Sequence, residues 1–445
     1  MRFLFLVGYC VCLTFGALKK EQSDDQPRIF ALLVAGSNGW GNYRHQADIC
    51  HAYQILHGHG VPDSNIVVMM YDDIANNRMN PDKGQIINKP HGHDVYHGVP
   101  KDYTKDDVTP KNFLKILSGD AEAMKGIGSG KVIKSTSKDH VFVYFADHGA
   151  AGLVAFPTEE LFAKDLNETL YEMNSQQKFK KLVFYMEACE SGSMFKDLLP
   201  KDINIYAMTA ANDHESSWGC YCDNPERLPC LGDLFSVVWM EDSDKEKLSE
   251  ETLQHQFEVT KRLTNRSHVQ EFGDLSILSM KVADFLGHKD SQVVRSSAPG
   301  KSDEAHKSVL VKSRDIPLYH LRRQYSESNS WAHQQEFEMR RSRLEAKRAI
   351  VDSYVQEIVY ELAASPPKRR RLLNSHPARL THFDCHKATF SAFGQKCFRL
   401  SENEYALKYS FVFFNLCQEG LHEDYIVRKI EEICGGDGSI LTGAE

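Results

Sequence analysis

Residues 182–193 read LVFYMEACESGS, and residues 141–150 read VFVYFADHGA. Each stretch is a continuous apolar run that stops abruptly at small and polar residues. Such runs are typical of parallel strands that are buried on both faces, and parallel strands bring their carboxyl ends to one edge of a sheet. The two stretches therefore predict neighbouring strands that place Cys189 and His148 close together.

Other strand-like runs fit the same sheet: RIFALLVAG from residue 28, SNIVVMMYDD from residue 64 and INIYAMTAAN from residue 203. Residues 43–60 between the first two have a helical pattern. Short apolar strands that alternate with helices predict an α/β fold with a parallel-rich sheet flanked by helices. Asn42, which follows the first strand, is expected at the same edge as His148 and Cys189.

The chain begins with one arginine and the apolar stretch FLFLVGYCVCLTFG, which is too short to span a bilayer. We interpret residues 1–16 as a secretory signal peptide and residues 17–27 as a short N-terminal propeptide. A buried N-terminal strand is the weaker alternative, because the charged segment LKKEQSDDQP follows. No later stretch reaches membrane-spanning length, so no membrane span is expected.

A change in composition divides the rest of the chain. With 445 residues, 42% of them hydrophobic, the sequence can form one large core and a smaller one. We expect a large first domain over residues 28–286 and, because periodicity is lost from residue 287, a linker and activation segment over 287–329. A disulfide-stapled helical domain is expected over 330–445, since apolar residues recur at helical spacing from Val351 to Leu362.

The basic run KRRR at residues 368–371 is predicted to be a solvated interhelical loop or a patch that docks onto the acidic N-terminal half. No basic stripe with interleaved aromatic residues accompanies it. The chain carries a net charge of −8, and no nucleic-acid partner is expected.

Entry into the secretory pathway favours disulfides among the cysteines. Four lie near the C-terminus and suggest two bridges: Cys385, Cys397, Cys417 and Cys434. The odd group of five, Cys50, Cys189, Cys220, Cys222 and Cys230, should leave at least one thiol free. Asn167 and Asn265 match the spacing of glycan acceptors.

A cysteine after a buried strand is usually an inert thiol, but His148 and Gly149 change the interpretation for Cys189. His148 can accept and return its proton. The N–H groups of Gly149 and Cys189 could form an oxyanion hole, and a helix expected after residues 191–193 would lower the pKa of the thiol. Glu187 and Glu190 would raise it. No histidine or cysteine pair has the spacing of a zinc module, so neither a metal nor a cofactor is expected.

Longer motifs resemble the legumain family of lysosomal asparaginyl endopeptidases, which have a caspase-like fold. They are LLVAGSNGWGNYRHQADICHAYQIL, VFVYFADHGA, LVFYMEACESGSMF, ESSWGCYCD, LGDLFSV and WMEDSD. The resemblance implies Cys189 as nucleophile, His148 as general base and acid, and Asn42 as the residue that supports His148. It also implies a pocket for a substrate asparagine, formed by Arg44, His45, Glu187, Ser216, Ser217 and Asp233.

In such a pocket Arg44 can donate to the carboxamide oxygen, while Glu187 and Asp233 accept from its NH2 group. A substrate aspartate would be repelled when ionised and accepted once it is protonated, so cleavage after aspartate is expected at acid pH.

The resemblance further implies that the C-terminal domain is an inhibitory prodomain, detached by a cut after Asn329 in the SESNSW segment. It implies the bridges Cys385–Cys417 and Cys397–Cys434, and cystatin-type inhibitors as partners. The CYCDNPERLPCLGD stretch departs from the family, and its Cys222 and Cys230 are expected to pair and stiffen one wall of the pocket. We expect acidification to weaken the contact between the prodomain and the active site, because it charges the prodomain histidines and neutralises carboxylates.

The sequence therefore predicts a zymogen that becomes an asparagine-specific cysteine endopeptidase of proteins and peptides, in lysosomes, endosomes or a secreted acidic digestive fluid. The alternatives are a peptide ligase or lipid-anchor transamidase that uses the same thioester, and a catalytically silent binding protein on the same scaffold.

Overall fold

The computed structural model describes residues 27–289 and 304–435. The predicted signal peptide, nearly all of the predicted propeptide and the centre of the predicted linker lie outside these residues. Within the described ranges, no helix is both long and apolar enough to cross a membrane.

A six-stranded sheet forms the centre of the N-terminal domain. Its strands are β1 (Ile29–Ala35), β2 (Ile66–Met69), β3 (His140–Ala146), β7 (Lys181–Glu187), β8 (Ile205–Thr209) and β11 (Gln270–Gly273). Their order is β11-β8-β7-β3-β1-β2, and every pairing except β11 with β8 is parallel. The sequence prediction of a parallel-rich α/β sheet is confirmed, including the neighbouring positions of β3 and β7.

Two small antiparallel sheets lie outside the central one. The first contains β4 (Gly149–Ala150), β5 (Leu153–Ala155) and β6 (Glu160–Phe162). The second contains β9 (Trp218–Cys220), β10 (Gly232–Asp233) and β12 (Val311–Lys312). Because β12 follows the linker, the chain returns from the C-terminal side to pair with the N-terminal domain.

Helices cover both faces of the central sheet: α1 (Tyr43–Gly58), α2 (Pro110–Leu117), α3 (Ala163–Ser175), α4 (Leu234–Lys245), α5 (Leu253–Leu263) and α6 (Ala283–Leu286). Alternate strand residues point to opposite faces. In β1, Ala31 and Leu33 belong to a core with α1 and α4, whereas Leu32 and Val34 belong to a second core with α2 and α3. The uninterrupted apolar runs result from this coverage on both sides.

The C-terminal domain is helical, as predicted. It contains α7 (Ile316–Glu327), α8 (Trp331–Leu362), α9 (Pro366–Asn374), α10 (Phe383–Lys396), α11 (Glu404–Leu407), α12 (Ser410–Gln418) and α13 (Glu423–Cys434). Phe390, Phe393 and Phe413 lie in its core. Disulfides join Cys385 to Cys417 and Cys397 to Cys434, the pairing that the family resemblance implies.

Three expectations need correction. Residues 368–371 lie within α9, where Lys368 pairs with Glu419 of the same domain, so this run is neither a loop nor a patch docked on the acidic half. Residues 191–194 form one 3-10 turn and not a helix, which removes the expected dipole. The end of the predicted linker contains β12 and α7 and is therefore an ordered part of the fold.

The two predicted glycan acceptors, Asn167 and Asn265, differ in their exposure. The Asn167 side chain is 8% exposed and donates from Nδ2 to the carbonyl oxygens of Ala163 and Met194, both at 2.7 Å. Asn167 is thus mostly buried in this structure, and its glycosylation stays a prediction. Asn265 is exposed, which is compatible with a glycan.

A buried pair of carboxyls, Asp242 and Glu251, makes the fold sensitive to pH. Burial and the neighbouring Asp242 raise the pKa of Glu251 to about 9, and protonated Glu251 donates to Asp242. A carboxyl whose pKa is higher in the folded state stabilises the fold at acid pH, and this stability is lost as the pH rises toward that value. The contribution of Glu251 to stability should therefore be larger near pH 5 than near pH 7.

We expect Glu251→Gln to raise the free energy of unfolding at pH 7 by about 1 kcal/mol and to change it little at pH 5. Urea unfolding at both pH values measures this effect. The exposed neighbour Glu250, changed to glutamine, is the matched control. Identical pH dependence in the wild type and Glu251→Gln would contradict the assignment.

Candidate active site

Cys189 and His148 follow adjacent parallel strands at matching positions. Ala146 of β3 is paired with Glu187 of β7, and each functional residue comes two positions later. Both side chains are buried, with Cys189 1% and His148 7% exposed. The sheet edge therefore brings the thiol and the imidazole to the same end of the fold, as the two apolar runs predict.

The backbone turns sharply around Cys189. Glu190 has a φ of 49°, in the left-handed region that non-glycine residues seldom adopt. Gly149 lies against the same turn, where a Cβ at that position would be 2.4 Å from the Cys189 carbonyl oxygen and 2.9 Å from Ala188 Cβ. Only glycine permits this close approach, which places the Gly149 backbone beside the nucleophile candidate.

Both ring nitrogens of His148 have partners. Nε2 lies 2.9 Å from Asn42 Oδ1, and Nδ1 forms an ion pair of 2.7 Å with Glu404 Oε2. Asn42 comes from the start of α1, but Glu404 comes from α11 of the C-terminal domain. Burial alone would lower the pKa of His148, yet the Glu404 carboxylate raises it above its usual value. The imidazole is therefore held as a cation by the C-terminal domain.

The Cys189 thiol contacts serines. Its sulfur lies 3.2 Å from Ser216 Oγ and 3.7 Å from Ser217 Oγ, and the Ser217 N–H donates to it at 3.4 Å. Burial raises the pKa of the thiol; the Arg314 guanidinium lowers it and Glu190 raises it. In this state the thiol is protonated, because the raising effects dominate.

A buried polar pocket adjoins the thiol, and it contains the residues that the resemblance implies. Arg44 Nε donates to Asp233 Oδ1 at 2.9 Å. His45 Nε2 lies 3.5 Å from Asp233 Oδ2, and Ser236 donates from both N–H and Oγ to Glu187 Oε2. Burial and the adjacent Arg44 lower the pKa of His45, whereas burial and Asp233 raise that of Glu187.

The segment Val311–Arg314 crosses this pocket. Val311 and Lys312 pair with Gly219 and Trp218 in antiparallel register, and the Ser313 N–H donates to the Ser217 carbonyl oxygen at 3.0 Å. Ser313 Oγ accepts from Arg44 Nη2 at 2.8 Å. The segment thus binds in an extended conformation and places a serine side chain where the arginine of the pocket can reach it.

Arg314, the last residue of this segment, contacts residues next to Cys189. Its guanidinium forms two hydrogen bonds to the Glu190 carboxylate and one to the Gly149 carbonyl oxygen, all between 2.7 and 2.9 Å. Arg348 of α8 in turn donates to the Arg314 carbonyl oxygen at 2.6 Å. These contacts connect the long C-terminal helix to the residues on both sides of Cys189.

The Cys222–Cys230 disulfide is present and borders the same segment. It packs with Val311 and Ile316, and Cys230 Sγ would lie 3.4 Å from a Cβ placed on Gly219. The bridge therefore forms a wall beside β9, the strand that follows Ser217. Cys50, Cys189 and Cys220 are free thiols in the described residues.

Sequence reasoning identified the residues at the sheet edge but missed those that cover them. Glu404, Ser313 and Arg314 lie more than 120 residues after Cys189, and nothing in their local sequence marks them. Asn329, the predicted cut site, is exposed between α7 and α8 and is not among the residues around Cys189.

One group could coordinate a metal ion: ligand atoms of His45, Asp147 and His148 lie within 4.8 Å of one another. Burial raises the pKa of Asp147 to about 7. Both ring nitrogens of His148 already have the protein partners described above. We therefore interpret His45, Asp147 and His148 as part of the candidate active site and not as a metal site.

The comparisons with known proteins cover both domains. The sequence profile of the Peptidase C13 family matches residues 29–288, and that of the legumain prodomain matches residues 341–434. The chain is 47% identical over 434 residues to legumain of Bos taurus, covering 97% of this chain and 99% of that protein. It is 46% identical over 428 residues to legumain of Homo sapiens, covering 96% and 97%.

The vacuolar-processing enzyme delta-isozyme of Arabidopsis thaliana is 43% identical over 425 residues, with 91% of this chain and 90% of that protein covered. Among solved structures, caspase-1 of Spodoptera frugiperda matches 60% of this chain and 92% of its own, at 9% identity and a TM-score of 0.36. That score is too low to support an argument.

Proposed function

Because the chain belongs to the Peptidase C13 family and is a cysteine endopeptidase of the asparaginyl class, we propose that it cleaves peptide bonds after asparagine through a Cys189 thioester. The observation that supports this specificity is the buried pocket beside the thiol, in which Arg44 pairs with Asp233 and Glu187 lies near Asp233. A carboxamide needs one donor and one acceptor, and this pocket offers both.

In the proposed reaction, His148 removes the proton from Cys189 and the sulfur attacks the carbonyl carbon of the substrate. The N–H groups of Gly149 and Cys189 stabilise the oxyanion, and His148 then protonates the leaving amine. Water hydrolyses the thioester and regenerates the thiol. Asn42 acts as a positioning residue, because its contact with Nε2 orients the ring and leaves Nδ1 for proton transfer.

The direct test is cleavage of peptides that differ only in the residue before the scissile bond. We expect kcat/KM for asparagine to exceed that for glutamine by at least about 100-fold. The longer glutamine side chain places its carboxamide out of register, which leaves buried polar groups of the pocket without a hydrogen-bond partner. Aspartate should be accepted only at acid pH. Equal cleavage after asparagine and glutamine would reject the proposed specificity.

We further propose that the C-terminal domain keeps the zymogen inactive in two ways. Ser313 and Arg314 block the substrate channel, and Glu404 binds the His148 nitrogen needed for proton transfer. Burial would raise the pKa of Glu404, but His148 lowers it below its usual value. The ion pair is therefore lost only as the pH falls through this lowered value, which makes release an acid event.

Burial limits the part that some of the prodomain histidines could have in this release. Burial lowers the pKa of His320 to about 4 and that of His386 to about 3, and it also lowers that of His376. His320 and His386 therefore stay neutral where release is expected to begin. Protonation of Glu404, the carboxylate that faces His148, is the better explanation.

We expect Glu404→Gln to self-activate at a pH about one unit higher than the wild type, with activation at pH 6 at least about tenfold faster. The glutamine keeps the side-chain size but removes the charge that faces His148. Activity measured after incubation between pH 4 and pH 7 shows the shift. Glu357→Gln, on an exposed face of α8, is the control, and coincident curves for the two variants would contradict the proposal.

Maturation is proposed to cut after Asn329, whose exposed position suits cleavage by a second molecule. Normal maturation of an Asn329→Ala chain at acid pH would refute this site. An acidic compartment, lysosomal, endosomal or extracellular, is the proposed location, and cystatin-type inhibitors are proposed as partners by analogy with the family.

A further inference from the structure

The segment Val311–Arg314 lies across the candidate active site in an extended form that a substrate could also adopt. Ser313 reaches the proposed asparagine pocket, where its Oγ accepts from Arg44 Nη2 at 2.8 Å and its N–H donates to the Ser217 carbonyl oxygen at 3.0 Å. The two residues before it pair with β9 in antiparallel register. Arg314 therefore has the place of the residue that would follow the cleaved bond of a substrate.

The guanidinium of Arg314 contacts the residues that directly follow both candidate catalytic groups. Its Nη1 donates to Glu190 Oε1 at 2.9 Å and its Nη2 donates to Glu190 Oε2 at 2.7 Å, so one carboxylate accepts from both nitrogens of the fork. Nη2 also donates to the Gly149 carbonyl oxygen at 2.7 Å. Glu190 comes directly after Cys189, and Gly149 directly after His148. This guanidinium site thus lies next to the thiol and is separate from the asparagine pocket.

Glu190 has a backbone conformation that a glutamate seldom adopts. Its φ is 49°, where glycine is the favoured residue, and its N–H donates to the Glu215 carbonyl oxygen at 2.8 Å. Its side chain is only 7% exposed. Strained backbone of this kind is concentrated at functional sites. A buried carboxylate held in this way beside the nucleophile indicates a function for the charge itself.

Glu190 must lose its cation before a substrate can bind. Within residues 27–289 and 304–435, the ion pair of Glu190 is with Arg314 alone. The segment that carries Arg314 has to leave the channel when a substrate enters, and this leaves the carboxylate without a countercharge. A cation on the substrate would restore the pair. Burial and Glu190 raise the pKa of the Cys189 thiol and Arg314 lowers it, so a substrate cation at this site would also favour the reactive thiolate.

We propose that Glu190 and the Gly149 carbonyl oxygen form a second specificity subsite in the mature enzyme, which selects an arginine directly after the cleaved bond. This inference rests on the proposed cleavage after asparagine and names asparagine–arginine bonds as its preferred substrates. A substrate guanidinium can donate two hydrogen bonds to Glu190 and a third to Gly149, as that of Arg314 does. A glutamate after the cleaved bond would be repelled by Glu190.

The test uses the matured enzyme and peptides that share an asparagine before the cleaved bond and differ only in the residue after it. Arginine is compared with citrulline, which has nearly the same shape but no charge. For the wild type at low salt, we expect kcat/KM for the arginine peptide to exceed that for the citrulline peptide by about tenfold. The ratio should fall below about threefold in about 0.5 M NaCl, because salt screens the ion pair. Equal values for the two peptides at low salt would overturn the proposal.

Two variants of the subsite test the assignment to Glu190. Glu190→Gln keeps the size of the side chain but removes its charge, so it should bring the arginine-to-citrulline ratio close to one at every salt concentration. Glu190→Lys should reverse the preference, so that a peptide with glutamate after the bond is cleaved faster than the arginine peptide. Glu159→Gln, which changes an exposed acid in the turn between β5 and β6, is the control and should keep the wild-type ratio.

A merely structural role for Glu190 would lower the rates for both peptides by the same factor and leave their ratio unchanged in Glu190→Gln. That result overturns the proposal, and so does a wild-type ratio in Glu190→Lys. The comparison of arginine with citrulline in the wild type needs no variant, so it decides the matter even if both variants fail to fold. If none of the asparagine peptides is cleaved, the proposed function itself is rejected, and this is seen before any ratio is measured.

Discussion

Ser313→Asn is expected to convert the inhibitory segment into a substrate, so that the zymogen cuts itself between residues 313 and 314. Ser313 already occupies the pocket, with its N–H bound to Ser217 and its Oγ bound to Arg44. A serine side chain lacks the carboxamide that the pocket is proposed to recognise. Asparagine at position 313 supplies the carboxamide on the same backbone. An intramolecular reaction is fast when the reacting groups are already held close together.

Mass spectrometry of Ser313→Asn after incubation at pH 4 to 5 should show the new terminus at residue 314, at least about tenfold faster than any cut there in the wild type. Ser313→Gln carries the same group on a side chain one carbon longer and should be cut poorly. Addition of Cys189→Ala should abolish the cut. Equal cutting of the asparagine and glutamine variants, or cutting without Cys189, would contradict the account.

Cys189→Ala should reduce kcat of the matured enzyme by at least about 10⁴-fold, because the thioester cannot form and only binding and oxyanion contacts remain. To obtain this variant in mature form, the zymogen is processed by added wild-type enzyme that is then removed. Cys50 provides a matched control: it is a buried free thiol whose pKa burial raises to about 12, packed against Met70 and away from His148.

Cys50→Ala should stay within a few-fold of wild-type activity, although the lost sulfur lowers stability by about 1 kcal/mol. Comparable loss of activity in both variants would show that Cys189 acts only through folding. Full activity of Cys189→Ala would show that a residue other than Cys189 is the nucleophile. Binding of peptides without any turnover by the wild type would instead support the silent binding protein.

The sequence predicts the centre of this fold well because burial on both faces of a sheet leaves a strong local signal. Residues 141–146 and 182–186 are apolar for that reason, and their ends identify His148 and Cys189. The parallel register then aligns the two residues. The pocket residues could be placed only through the family resemblance, since single charged residues such as Arg44 and Asp233 have no local pattern.

The remaining features depend on long-range docking. Glu404 faces His148 because the C-terminal domain folds back across the sheet edge, and its local sequence, NEYAL, gives no sign of that contact. The sequence also did not reveal the short turn after Cys189, which spans residues 191–194 and follows a left-handed backbone at Glu190.

The central claim is that Cys189 becomes a nucleophile for asparagine-bearing substrates once the C-terminal domain is released. Labelling with a thiol-reactive probe that carries an asparagine side chain tests it most directly, followed by peptide mapping. The account predicts modification of Cys189 in the acid-activated chain, little modification in the intact zymogen, and little with the matched glutamine probe. Absence of Cys189 modification after activation, or equal modification by both probes, would contradict it.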